Sequence, residues 1–308
     1  MDSIPLLGDA DVDRLVSMAE AVEAVEQALA RKGASAFLSP PRHYFATSHG
    51  ALVFTIGGDG DQGVAGFRVY GMFPGASEHD QLVVVYDATT GRLRGLVKGS
   101  RVGAMRTGAL GGVAVKYGAR RDAKTLAIIG SGRQARTQLE AAAVVRDLSE
   151  VRVYSRSEPK REAFATEMAA LLNLNVEPAT SAEKAIASAD IVIVATNSRV
   201  PVFDVALIEP GTHVTTIRLG QGQSELDPAV ADRASAVFTD SMAQVQNYPG
   251  GFFLAHRLDS ISDLSEHVAR GMPVRESDTE ITLYLSAGLA GTEVVVADLA
   301  LQRAGAGG

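Results

Sequence analysis

The stretch that most restricts the fold of this chain is TLAIIGSGRQAR, residues 125 to 136. A short aliphatic run ends at Gly130, a second glycine follows at Gly132, and the small Ala135 comes soon after. A glycine-spaced turn between a strand and a helix lets the backbone bend sharply and approach a ligand closely. The helix it opens offers unsatisfied N–H groups to an anion. The pattern is weak on its own, and its setting gives it force. From Lys124 onward, strand-like and helix-like runs alternate: VRVYSR, PKREAFATEMAALL, AEKAIAS, ADIVIVAT and THVTTI. Such alternation predicts a parallel, doubly wound Rossmann sheet that holds a dinucleotide.

The part before it reads differently. GDADVDRLVSMAEAVEAVEQALARKG has the apolar spacing of one helix closed by Gly33. Residues 51 to 56, 64 to 73 and 82 to 86 are short β-branched or aromatic runs parted by glycine-rich turns, and LRGLVKG adds another strand. Residues 103 to 118 read as a helix whose small residues imply close packing. The tail from Ser277 reads as one long helix, with Ser277 and Asp278 as caps and Glu280 placed for a capping box. The predicted fold class is therefore α/β, a Rossmann domain over 119–286 plus a β-rich α+β domain over 1–118.

Bulk properties narrow the partners. The formal net charge of −7 over 308 residues gives no footprint for nucleic acid or an anionic membrane. There is no cysteine, which excludes disulfides and thiolate catalysis and fits a cytoplasmic setting. The first residues, MDSIPLLGDADVDRL, lack the basic and apolar regions of a secretory signal. No apolar window is long enough to span a bilayer. The six histidines show no metal-binding spacing.

Cofactor type follows from the next strand. An NAD site usually places Asp or Glu about 20 residues after the turn to accept from the ribose hydroxyls. Here VRVYSRS ends in Ser155 and Arg156, with Lys160 and Arg161 close behind. Arginine suits the 2′-phosphate dianion, so NADPH is favoured and NADH is the alternative.

Taken together and in order, GFRVYGMFPG, YDATTGRLRGLVKG, MRTGALGGVAVKY, IIGSGRQARTQ, VYSRS, PGTHV, SELD and SDTEITLYLSAGLA give a chain that resembles the ornithine cyclodeaminase and mu-crystallin family over nearly its whole length. The resemblance implies a first domain that binds substrate and forms a homodimer, rejoined by the C-terminal segment 287–308, and a Rossmann domain for NAD(P). It implies substrates that are amino acids or their imines. Carried over by position, Arg42 grips the substrate carboxylate, and Arg106 and Thr107 stand beside substrate and nicotinamide. Gly130, Ser131, Gly132, Arg133 and Gln134 form the pyrophosphate loop, and Ser155 and Arg156 the ribose site. Thr196 stands at the end of the fourth Rossmann strand and Ser286 on the nicotinamide side, and Leu219 is expected as a further cofactor-binding residue.

The chain departs from the family at two places. Arg68 replaces a lysine able to donate a proton. Leu219 and Gln223 stand where cyclodeaminases carry an aspartate and a lysine. Cyclodeamination needs a pocket acid or base to handle a second amine, and leucine offers neither. Reduction of a protonated imine asks less, mainly positioning and charge balance. The residue pattern therefore points to an NAD(P)H-dependent reductase of an α-imino acid or ketimine. An ornithine-type cyclodeaminase using NAD and a non-catalytic NADPH-binding crystallin-like protein are the alternatives.

Arg42, Arg68 and Arg106, with Arg218 as a possible fourth, carry more charge than one carboxylate balances. Either the substrate is a dicarboxylate, or it is a monocarboxylate and one or two of these arginines pair with Asp or Glu or sit near the cofactor phosphates. His43 is a candidate proton donor, although strand alternation would turn it away from Arg42. His79 is a second candidate, and His213 is expected to be structural.

Overall fold

The computed structural model describes residues 4–306, and the chain divides into two compact units. One runs up to Arg106 and resumes at Leu289; the other is Thr107–Gly288. The boundary falls inside the helix Arg101–Gly118, earlier than the expected one at its end.

The first unit is built on a seven-stranded sheet: β1 (Leu6–Leu7), β2 (Phe37–Leu38), β3 (His43–Ala46), β4 (Ala51–Asp59), β5 (Val64–Met72), β6 (Gln81–Asp87) and β7 (Leu93–Lys98). Its order is β1-β7-β6-β5-β4-β2, with β3 also on β4, and only β1 pairs in parallel. The C-terminal helix Thr292–Ala306 lies across β4 to β7 and against the helix Met18–Gly33. The opening helix is broken in two, Asp9–Leu15 and Met18–Gly33. Ser17 starts the second by accepting from the Glu20 backbone while Glu20 bonds back, a capping box that outcompetes continuation.

Strand alternation gives this sheet two unlike faces. Thr55 pairs with Arg68 and Arg68 with Val83, so these three share one face. Phe54, Val69 and Leu82 share the other, as do Ile56 and Phe67, and Ile56 is 46% exposed.

The second unit is an eight-stranded parallel sheet of Rossmann type: β8 (Thr125–Ile129), β9 (Glu150–Tyr154), β10 (Val176–Pro178), β11 (Ile191–Val194), β12 (His213–Thr216), β13 (Ala236–Thr239), β14 (Ile261–Asp263) and β15 (Thr282–Leu285). The order is β10-β9-β8-β11-β12-β15-β13-β14. Strands β8, β11, β12 and β15 are almost wholly buried, as a sheet covered on both faces requires. Glycines in Arg101–Gly118 serve packing: a Cβ on Gly108 would strike the Thr137 backbone, and one on Gly111 the Gln138 side chain.

The tail corrects the sequence reading. It is not one helix: β15 is inserted between β12 and β13, and the helix begins only at Thr292. Glu280 accepts from the backbone N–H of Glu276 at 2.6 Å and closes a turn. Gly288 and Gly291, both at φ +84°, then redirect the chain into the helix.

Candidate active site

At the glycine turn, Gly130 has φ +121°, and a Cβ there would collide with the Ala195 carbonyl at the end of β11. Only glycine fits. Gly132 caps the helix Arg133–Val145 without a side chain, and the space its Cβ would enter is open. No side chain crowds the start of this helix, whose first-turn N–H groups suit an anion such as pyrophosphate. Ala135 is fully buried, and Arg133 is exposed at the helix start. Gln134 keeps a buried side-chain oxygen without a hydrogen-bond partner. The turn is tied to the end of β9: Gly130 N–H donates to Tyr154 O at 2.8 Å, and Ser131 Oγ to Ser155 Oγ at 3.0 Å. Arg161 donates to the Ser155 carbonyl, while Arg156 is exposed.

At the same C-terminal edge of the parallel strands, Glu225 organises the loops. It is fully buried and accepts from Thr196 N–H at 2.7 Å, Thr196 Oγ1 at 2.8 Å, Thr216 Oγ1 at 2.9 Å and Ile217 N–H at 3.2 Å. Burial pushes its carboxyl up, against the pull of those four donors. Thr196 is thus held by Glu225. Ser286 N–H donates to the Thr216 carbonyl at 3.0 Å, and the buried Asp240 accepts from Ala287 and Gly288 N–H. The Thr107 carbonyl accepts from Gln138 at 2.9 Å. Leu219 needs correcting as a cofactor contact through its side chain. That side chain is fully buried in the core with Phe252 and Phe253, where apolar burial holds it.

The arginines lie in the first unit, around a residue the sequence reading missed. Glu293, in the first turn of the C-terminal helix, has no exposed surface. Its Oε1 accepts from Thr55 Oγ1 at 2.8 Å and from Arg68 Nη1 at 3.5 Å, and Arg106 Nη2 stands 3.6 Å away. Arg42 feels the same carboxylate electrostatically and hydrogen-bonds Tyr44. Burial alone would raise the Glu293 carboxyl; Arg106 and Arg68 override it and hold it at about 2. Arg42, Arg68 and Arg106 all act on this one carboxylate, which partly neutralises them.

They are not equivalent. Arg68 is engaged throughout: Nε and Nη2 both bond Gln81 Oε1, Nη1 bonds Glu293, and the Tyr70 ring centroid lies 4.5 Å from Cζ. Gly103 leaves its head group room, since a Cβ there would come 2.7 Å from Nη2. Arg106 is 6% exposed, and its Nε and Nη1 are buried with no hydrogen-bond partner. Buried guanidinium donors without acceptors are costly, and an anionic ligand removes the cost.

The remaining candidates fall elsewhere. His43 pairs with Phe54, on the sheet face opposite Arg68, and is exposed, which corrects its candidacy as proton donor. His79 is exposed beside Asp9. Arg218 bonds Gln223 within its own loop. His213 is fully buried between Thr282 Oγ1 and Thr215 Oγ1.

A doubly wound sheet with this turn, and a unit in which the buried Arg106 keeps two donors without partners, fit a nicotinamide-dependent oxidoreductase. The chain belongs to the ornithine cyclodeaminase/mu-crystallin family, whose model matches residues 5–308. It is 33% identical over 307 residues to a Delta(1)-pyrroline-2-carboxylate reductase of Bacillus cereus, covering 94% of this chain and 93% of that one. The Delta(1)-pyrroline-2-carboxylate reductase of Thermococcus litoralis, solved with NADH and L-proline, superposes with a TM-score of 0.91 at 32% identity, over 98% of each chain. The iminosuccinate reductase of Paracoccus denitrificans, solved with NAD+, gives 0.88 at 27% identity, over 99% of this chain and 97% of that one. The protein is an oxidoreductase acting on C–N bonds, of the imine-reducing kind. Among the described residues, no helix is long and apolar enough to cross a membrane.

Proposed function

We propose that this protein reduces an α-imino monocarboxylate, a cyclic ketimine of the pyrroline-2-carboxylate type, to the corresponding amino acid. The observation that carries this reading is the set of unused donors on Arg106: its Nε and Nη1 are buried without hydrogen-bond partners, and an anionic ligand would satisfy them. Arg68 is consumed by Gln81 and Glu293, so the apparent excess of cations shrinks from within. The dinucleotide, when bound, supplies the hydride. Arg106 and Arg42 hold the carboxylate and fix the imine carbon, and burial around them excludes water. An iminium arrives already protonated, so the chain need not donate a proton to it.

NADPH is the proposed coenzyme. The support is Arg156, exposed after β9, with Arg133 exposed at the helix start and no carboxylate at the strand end. The relatives solved with NADH and NAD+ make NADH the competing choice. A homodimer is proposed through the β4–β6 face bearing Phe54, Ile56, Phe67 and Val69, an apolar surface of the kind that marks an interface.

The test is coenzyme oxidation with pyrroline-2-carboxylate, with pyruvate plus ammonia, and with oxaloacetate plus ammonia. The cyclic imine should be reduced fastest. Preference for the oxaloacetate mixture would replace the monocarboxylate reading by a dicarboxylate one, and inactivity on all three would sink the function.

A further inference from the structure

The cluster around Glu293 holds a second unused group besides the unpartnered donors of Arg106. Glu293 Oε1 is fixed by Thr55 and Arg68, whereas Oε2 is buried with no hydrogen-bond partner. The closest Arg106–Glu293 approach, 3.6 Å, is an ion-pair distance and too long for a good hydrogen bond. Arg106 therefore spends neither Nε nor Nη1 on this carboxylate. Two neighbouring side chains, 3.6 Å apart at Nη2 and Oε1, thus keep a buried acceptor on one and two buried donors on the other without hydrogen-bond partners.

We infer that Glu293 is a substrate-binding residue: its Oε2 accepts the N–H of the protonated imine while Arg106 takes the carboxylate on the adjacent carbon. This rests on the imine-reductase reading and specifies how the site tells an imino acid from a keto acid. An α-iminium carboxylate carries an N–H donor next to a carboxylate, the mirror image of the Oε2 acceptor and the Arg106 donors. An α-keto acid offers the same carboxylate but a carbonyl oxygen in place of the N–H. That oxygen would face Oε2 lone pair to lone pair, and an ionised carboxylate has no proton with which to relieve the contact. The flanking arginines keep Glu293 ionised, so it acts as acceptor and counter-charge, and the electrophilic iminium keeps its own proton. After hydride addition at the imine carbon, the same oxygen accepts from the amine of the product.

The residue also explains why an arginine can stand at position 68 without serving as proton donor. Two of its nitrogens go to Gln81 and the third to Glu293, so it orients the carboxylate. Arg68 is accordingly a positioning residue.

The test needs no turnover. Binding of two planar ligands to the full chain, loaded with oxidised coenzyme, is measured by calorimetry. Pyrrole-2-carboxylate carries a ring N–H beside its carboxylate; furan-2-carboxylate carries a ring oxygen there. A hydrogen bond to a charged group is worth about 1.5–3 kcal/mol, so the pyrrole should bind roughly 10- to 100-fold more tightly. In Glu293→Gln the ratio should fall severalfold or more, with the furan binding no worse than before. Equal affinities in the unaltered protein would overturn the role of Glu293 while leaving the carboxylate site standing, and that comparison requires no variant to fold. An unchanged ratio in Glu293→Gln would overturn it too. Failure of both ligands to bind would remove the carboxylate site itself, and the proposed function with it.

Discussion

Gly57 in β4 and Gly291 before the C-terminal helix meet backbone to backbone. A Cβ on Gly57 would lie 2.7 Å from Gly291 Cα, and one on Gly291 would lie 2.8 Å from Gly57 Cα. This approach sets the helix close enough to the sheet for Glu293 to reach Thr55. Gly291→Ala adds both a clash and a strained φ of +84°. It should destabilise the first unit by about 3 kcal/mol, read as a lower denaturant midpoint. A midpoint equal to that of the unaltered chain would show the approach to be dispensable.

Arg106 should dominate recognition of the carboxylate. Removing one partner of a buried charged pair costs about 2–5 kcal/mol, so Arg106→Met should lower kcat/KM for the imine by roughly 30-fold or more. Steady-state kinetics across the substrate panel measures this, with thermal unfolding as a check on folding. A loss under about threefold would move the carboxylate elsewhere.

Coenzyme choice isolates Arg156. Charge-assisted contact with a 2′-phosphate predicts that Arg156→Ala raises KM for NADPH about tenfold and leaves KM for NADH unchanged. Parallel changes for both coenzymes would remove the ribose-site assignment.

His213 predicts a pH dependence of stability rather than of activity. Burial first, and then Arg275 and Arg146, push its imidazole from the ordinary 6.5 down to about 3. Between those values the unfolded chain binds a proton that the folded chain does not. Stability is therefore lost as pH falls below about 6.5, by about 2 kcal/mol from pH 7 to pH 5 for one such group. The ionised Glu293 adds its own loss only below about 4.5, outside that window. Denaturant melts at the two pH values should show the loss in the unaltered chain and a flatter response in His213→Gln.

Local signals made the Rossmann half legible. The glycine turn, the aliphatic strand before it and the Ser155–Arg156 strand end all lie within one βα unit and one following strand. The tail was misread because Thr282–Leu285 is central in its sheet and buried on both faces, so it shows no two-residue alternation to separate it from helix. Glu293 was hidden for a different reason. Thr55 and Arg68 stand 238 and 225 residues away in the chain, a pairing no local pattern encodes. The physical clue was the charge sum itself: three arginines in one place demanded an anion, and a lone glutamate at the start of TEVVVADLAL was available to supply it. For His43, alternation along β3 already argued against an inward imidazole, and the pairing with Phe54 sets it on the outer face.

The central claim is that hydride goes to the carbon of an α-imino acid. The most direct measurement supplies coenzyme carrying deuterium in the transferable position of the nicotinamide, together with pyrroline-2-carboxylate, and analyses the product by mass spectrometry and NMR. The account predicts proline with a single deuterium at Cα, formed in step with coenzyme oxidation. It is contradicted if no deuterium enters the product, or if the chain instead converts ornithine to proline with release of ammonia and no net coenzyme consumption.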